Sequence, residues 1–157
     1  MTVSSVEKDF ERLSLTLTAD FDAPVERVWQ LWADPRQLER WWGPPTYPAT
    51  FERHDLEPGG EVTYFMTGPS GEKIRGWWRV TSVQAPTALD FTDGFAGSTS
   101  PVTTVNVRLA DHAGGTRMVL RFTFESREHM DQLERGGAFA VFPQSVGQMD
   151  VVLTEAS

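Results

Sequence analysis

The chain has 157 residues and a formal charge of -8, enough for one domain with its own core and too acidic to favour a nucleic-acid partner, whose phosphates would be repelled over most of the surface. It contains no cysteine, which removes disulfides, cysteine nucleophiles and thiolate metal sites and fits a reducing cytoplasm. Met1–Glu11 is polar and mixed in charge and no apolar run approaches membrane-spanning length, so neither a signal peptide nor a membrane association is expected.

After a frayed start at 1–9, a first strand is predicted over Leu13–Asp22. Pro24 suits a first helical position, and Val25, Val28, Trp29 and Trp32 recur at the spacing of one apolar helix face. Pro35 ends that helix and makes Asp34 the N-cap of a second, short one carrying Leu38, Trp41 and Trp42, which Gly43-Pro44-Pro45 closes. The period then changes to two. Strands are predicted over Ala49–Leu56, Glu61–Thr67, Lys73–Val83, Ala88–Asp93, Val102–Ala110 and Thr116–Glu125, with glycine-bearing turns at Asp55–Gly60, Gly68–Gly71 and Asp111–Gly115. Past Ser126, a plausible N-cap, helical spacing returns in Met130 and Leu133. A last helix carries Phe139, Phe142, Val146, Met149, Val152 and Leu153 on one face, with Pro143 predicting a kink or a start near Phe142, and 154–157 as a loose end.

Strand, two helices, six strands and a long terminal helix have one economical packing. A twisted antiparallel sheet of about seven strands curls around the last helix, an α+β architecture forming a single domain over 10–155. The inward phase contains Val62, Tyr64 and Met66; Ile74, Trp78 and Val80; Leu89, Phe91 and Asp93; Val105, Val107 and Leu109; and Met118, Leu120, Phe122 and Phe124. One helix seldom fills such a concavity, so a pocket for a mostly apolar small molecule is expected.

Several strings carry a family resemblance: Pro24-x-x-Arg27-Val28-Trp29, Asp34-Pro35-x-x-Leu38-x-x-Trp41-Trp42-Gly43-Pro44 and Asp55-x-x-Pro58-Gly59-Gly60, continued by Gly68-Pro69-x-Gly71, Gly76-x-Trp78, Phe91-Thr92 and Gly115-Thr116-Arg117-Met118. Together they cover almost the whole chain, which resembles the START-like SRPBCC superfamily. The nearest branch is the one grouped with the C-terminal domain of the heat-shock-protein-90 ATPase activator and with polyketide cyclase-like proteins. The resemblance implies a helix-grip fold; function has to be argued from the site. The last helix departs from the branch, whose common Gly-Trp pair is replaced here by Val141-Phe142-Pro143.

The expected cavity takes its apolar lining from Trp29, Trp32, Trp41, Trp42, Met66, Trp78, Phe91, Phe122, Phe139 and Phe142, and its polar handles from Arg53, Tyr64 and Asp93. Adjacent Trp41 and Trp42 cannot point the same way, so one should be buried and one placed at the surface or the cavity mouth. Trp78 should face inward; Trp77 is either covered or stacked beside Arg75 and Arg79 on the convex face. Arg53 and Asp93 follow Phe51 and Phe91 by two and share the inward phase, where they meet each other or a ligand, or else sit at the rim in water. His54, His112 and His129 lack metal-site spacing and read as surface or hydrogen-bonded histidines. Gly94–Ser98 lacks the downstream helix of a phosphate loop. No cofactor, metal or catalytic constellation is expected.

Three readings remain: a non-catalytic binder of a small apolar or aromatic molecule, a cyclase- or aromatase-like enzyme, and a chaperone-associated module with a protein partner or a second copy of itself. An enclosed pocket without paired titrating groups would favour the first. Arg53, Asp93 or Tyr64 in mutual reach inside it would favour the second, and a broad convex patch around Phe65 and Trp77 the third.

Overall fold

The period-two runs form one open antiparallel sheet in the computed structural model, which describes residues 2–95 and 103–155. In chain order the described residues form β1 (Thr2–Asp9), β2 (Ser14–Phe21), α1 (Val25–Ala33), α2 (Pro35–Leu38), β3 (Ala49–His54), β4 (Glu61–Thr67), β5 (Lys73–Gln84), β6 (Ala88–Phe95), β7 (Thr103–His112), β8 (Gly115–Phe124), α3 (Arg127–Arg135) and α4 (Ala138–Glu155). The strand order is β1-β2-β8-β7-β6-β5-β4-β3, so β2 closes onto β8 and the chain's two halves meet mid-sheet. With α4 packed on one face, this is the helix-grip arrangement.

Register brings the predicted inward residues together. Leu17 pairs with Leu120, Leu120 with Val107, Phe122 with Val105, Val105 with Phe91, and Val62 with Trp78. All of these are buried. The helices fasten to that face through a cluster of rings: Trp32 stands edge-on to Trp41 at 4.7 Å between centroids, and Trp78 stacks on Phe91 at 4.0 Å. The Trp41 indole N–H donates to the carbonyl of Leu31 at 2.8 Å. Gln148 on α4 donates to the carbonyls of Gly43 and Trp41, tying the last helix to the loop after α2.

Caps follow the side chains named for them. Asp34 accepts from the Arg36 amide at 2.9 Å and Ser126 from the His129 amide at 3.0 Å, each satisfying an orphan donor of a first turn.

Four expectations need correction. Thr2–Asp9, expected as a frayed start, pairs with β2 as an eighth, edge strand; its bonds are made by backbone, so the weak alternation of its side chains gave no signal. Pro24 is the cap of α1 rather than its first residue. The second helix stops at Leu38, leaving Trp41 and Trp42 in a turn beyond it. α4 begins at Ala138 and runs through Pro143, so the helix does not start late; Pro143 is its sixth residue, past the free amides of the first turn, so the helix continues at the cost of the backbone bond to the Phe139 carbonyl. Val102, residues 96–98 of the Gly94–Ser98 loop, Met1 and residues 156–157 lie outside the described residues.

Phe91 stacks on Trp78 with no exposure. Phe91→Ala is expected to lower stability by about 3–5 kcal/mol, read as a shift in the urea midpoint at unchanged slope.

Candidate functional site

A pocket of about 430 Å³ lies between the inner face of the sheet, the loop after α2, α3 and the first half of α4. The loop supplies Trp41, Trp42, Pro44 and Tyr47; the strands supply Tyr64, Met66, Ile74, Asp93, Leu120 and Phe122; the helices supply Gln132, Leu133, Gly136, Val141, Phe142, Ser145 and Val146. Its wall is predominantly apolar. Phe122 and Phe142 stack at 4.2 Å and close it between β8 and α4.

Of the residues expected to line a cavity, Trp41, Trp42, Tyr64, Met66, Asp93, Phe122 and Phe142 do so. Trp41 is the buried member of its pair and Trp42 the half-buried one, yet both border the pocket. Trp29, Trp32, Trp78, Phe91 and Phe139 are instead buried in the core and take no part in the pocket wall. Arg53 is off the wall altogether. A bulge between Phe51 and Arg53 sets Arg53 opposite Thr63, shifting its phase by one and turning it to the outer surface. There it pairs with Asp55 at 2.7 Å and Glu61 at 3.5 Å.

On the convex face, Trp77 lies over the backbone of its cross-strand partner Gly94, and Lys73 and Arg75 lie over Phe65 at 4.6 and 5.3 Å. Neither Phe65 nor Trp77 is exposed as a broad patch. His54 faces inward and its Nε2 meets the Trp32 carbonyl at 3.0 Å; burial holds its pKa below the usual value. Burial lowers His129 likewise, under Phe124.

The polar feature of the wall is a pair. Tyr64 donates its phenolic hydrogen to Oδ1 of Asp93 at 3.1 Å across β4, β5 and β6. The contact exists because the strand between them carries a glycine there. Gly76 is the register partner of Tyr64, and a Cβ on it would come within 2.5 Å of the phenol's Cζ and Oη. Burial in the apolar wall pushes the Asp93 carboxyl from 3.8 up to about 7, against the opposing pull of the Tyr64 hydrogen bond. Burial, and then the Asp93 charge, push Tyr64 well above its ordinary value. Among the described residues, no group of three His, Asp or Glu side chains could hold a metal ion, and no helix is long and apolar enough to cross a membrane.

The sequence profile of the activator of Hsp90 ATPase homolog 1-like proteins matches residues 22–154. The chain belongs to that family. Two solved structures similar to this family member are protein Ms6760 from Mycobacterium smegmatis (45% identity, 99% of both chains, TM-score 0.89) and a protein from Arthrobacter aurescens (48% identity, 99% of this chain and 94% of that one, TM-score 0.93). DynU16, from the dynemicin biosynthetic locus, shares the fold at 21% identity over 90% of this chain and 47% of its own, TM-score 0.69. No curated protein matches.

In this member of the Hsp90 ATPase activator-like family, Val141 and Phe142, in the last helix where the sequence departs from the expected pattern, both line the pocket. Sequence reasoning missed Pro44, Tyr47, Gln132, Gly136, Val141 and Ser145 as lining. The signal for Tyr47 was present: an aromatic residue set between Pro44-Pro45 and Pro48 in a polar loop has no core to join. Leu120, Leu133, Ile74 and Val146 read as core or as an apolar face, and line the wall from that same phase.

An acid whose folded pKa lies above its unfolded one destabilises the fold as it ionises. For Asp93 that cost is absent below the ordinary value of 3.8 and complete above about 7. Asp93→Asn, which keeps an acceptor for Tyr64, is expected to be more stable than the parent by up to about 4 kcal/mol at pH 8. The difference should vanish near pH 4, as followed by urea denaturation across that range.

Proposed function

We propose that the protein binds a small, mostly apolar or aromatic molecule in the pocket between α3, α4 and the sheet, without transforming it. The observation that carries this reading is the pocket itself: about 430 Å³, walled largely by aromatic and aliphatic side chains with few polar groups among them, the form of a small-molecule site. Family membership points the same way. A cytoplasmic setting, suggested by the cysteine-free sequence, is part of the reading.

Titration with N-phenyl-1-naphthylamine, an uncharged dye at neutral pH, is expected to give saturable fluorescence enhancement. Leu133→Trp, at a half-buried wall position, should lower dye affinity about tenfold or more with little change in melting temperature. Linear, non-saturating enhancement would exclude the pocket as the site.

A cyclase-like enzyme is the second reading, favoured by one observation: Tyr64 and Asp93 lie in mutual reach at the wall, and the carboxyl is held at about 7, where proton transfer in both directions is easiest. Under the binding reading, aromatic and polyketide-like ligands incubated with the protein are recovered unchanged. Time-dependent conversion that disappears in Tyr64→Phe while affinity is retained would replace binding with catalysis.

A further inference from the structure

We propose that the pocket selects a hydrophobic amine in its protonated form, the ammonium group resting against the Asp93 carboxylate and the surrounding ring faces; this rests on the reading of the pocket as a small-molecule site. Three observations converge on it. The side chains on the wall include an acid but no Lys, Arg or His among the described residues, so an anionic ligand would meet no counter-charge and a cationic one would meet Asp93. Tyr64 engages one carboxylate oxygen, Oδ1, whereas a carboxylate accepts at both. Finally, the rings of Trp41, Trp42, Tyr47, Tyr64, Phe122 and Phe142 border the same space, and aromatic faces attract ammonium groups through their quadrupoles, most strongly where water is excluded.

The arrangement also explains how an acid survives there. A carboxylate without a cation is costly in an apolar wall, and the shift of Asp93 to about 7 expresses that cost. A bound ammonium would supply the missing charge and draw the carboxyl back towards its ionised form. The titratable side chains on the pocket wall are Tyr47, Tyr64 and Asp93 itself. On the strands flanking Asp93, its register partners are the non-ionisable Trp78 on β5 and Thr103 on β7. Its titration is therefore governed by burial and by Tyr64.

The test is displacement of N-phenyl-1-naphthylamine by three compounds that share an indole and differ in one group: tryptamine, an ammonium; tryptophol, a neutral hydroxyl; and indole-3-acetate, a carboxylate. At pH 8 tryptamine is expected to compete about tenfold or more better than tryptophol, with indole-3-acetate weakest. The advantage should fade as pH falls to 5.5, because Asp93 then carries its proton. In Asp93→Asn it should be absent at every pH. Equal competition by tryptamine and tryptophol at pH 8, or a tryptophol preference marking a neutral carbonyl or hydroxyl ligand, overturns this proposal and leaves the pocket reading standing. So does an amine preference retained in Asp93→Asn. If that variant fails to fold, the parent protein decides: an amine preference unchanged between pH 8 and 5.5 overturns the proposal. Failure of the dye itself to bind saturably removes both readings together.

Discussion

The Trp32 indole joins the early helices to the sheet, and the shape of everything beside it follows from that junction. Its ring meets Trp41 at 4.7 Å, Trp42 at 6.1 Å, Trp78 at 6.2 Å and Phe91 at 6.3 Å, contacts that reach from α1 across the following loop to β5 and β6. The Nε1 atoms of Trp32 and Trp78 are buried without a hydrogen-bond partner among the described residues. Each such donor costs about 1–3 kcal/mol, so ring packing has to outweigh a real penalty. A hydrophobic residue without a polar atom would avoid it, but would not span the same distance with the same rigid surface.

Once that part of the concavity is filled, the remaining space begins at its edge, where Trp41 and Trp42 border the pocket. α4 runs along the sheet with Phe142 stacked on Phe122 and Phe139 on Phe124, and its later residues Met149 and Val152 are buried in the core. The sheet is wider than one helix can cover. The uncovered volume therefore falls between the first half of α4, α3 and the loop carrying Tyr47. In this fold the pocket is the part of the concave face that the tryptophans and the helix leave over.

That division explains which features could be read in advance. Strand phase was legible because one face is buried along most strands, so Leu89-Asp90-Phe91 or Leu120-Arg121-Phe122 declares its inward side by alternation alone. Asp93 was legible for the same reason, as a charge in an apolar phase. Arg53 was misplaced because a bulge changes phase without a sequence mark as plain as glycine or proline. Local patterns could assign Trp29, Trp32, Trp78, Phe91 and Phe139 to the interior, but core and pocket wall share one chemistry. Only the assembled packing separates a ring with neighbours on every side from one with an open face. Gln132 and Ser145 were out of reach because they come from two helices that only tertiary structure brings near β4 and β6.

Gly76 has a wider meaning than a relaxed backbone. The phenol of Tyr64 occupies the volume that any side chain at that position would need, and from there it reaches Asp93. The acidity of a carboxyl on β6, raised first by burial, is thus tempered from β5 by a residue with no functional group of its own. A single methyl at Gly76 would displace the hydroxyl and strip the acid of its one stabilising neighbour among the described residues. The chain could in this way retune its charge near neutrality without altering either member of the pair, leaving an evolutionary dial that a comparison of acidic and phenolic positions alone would overlook.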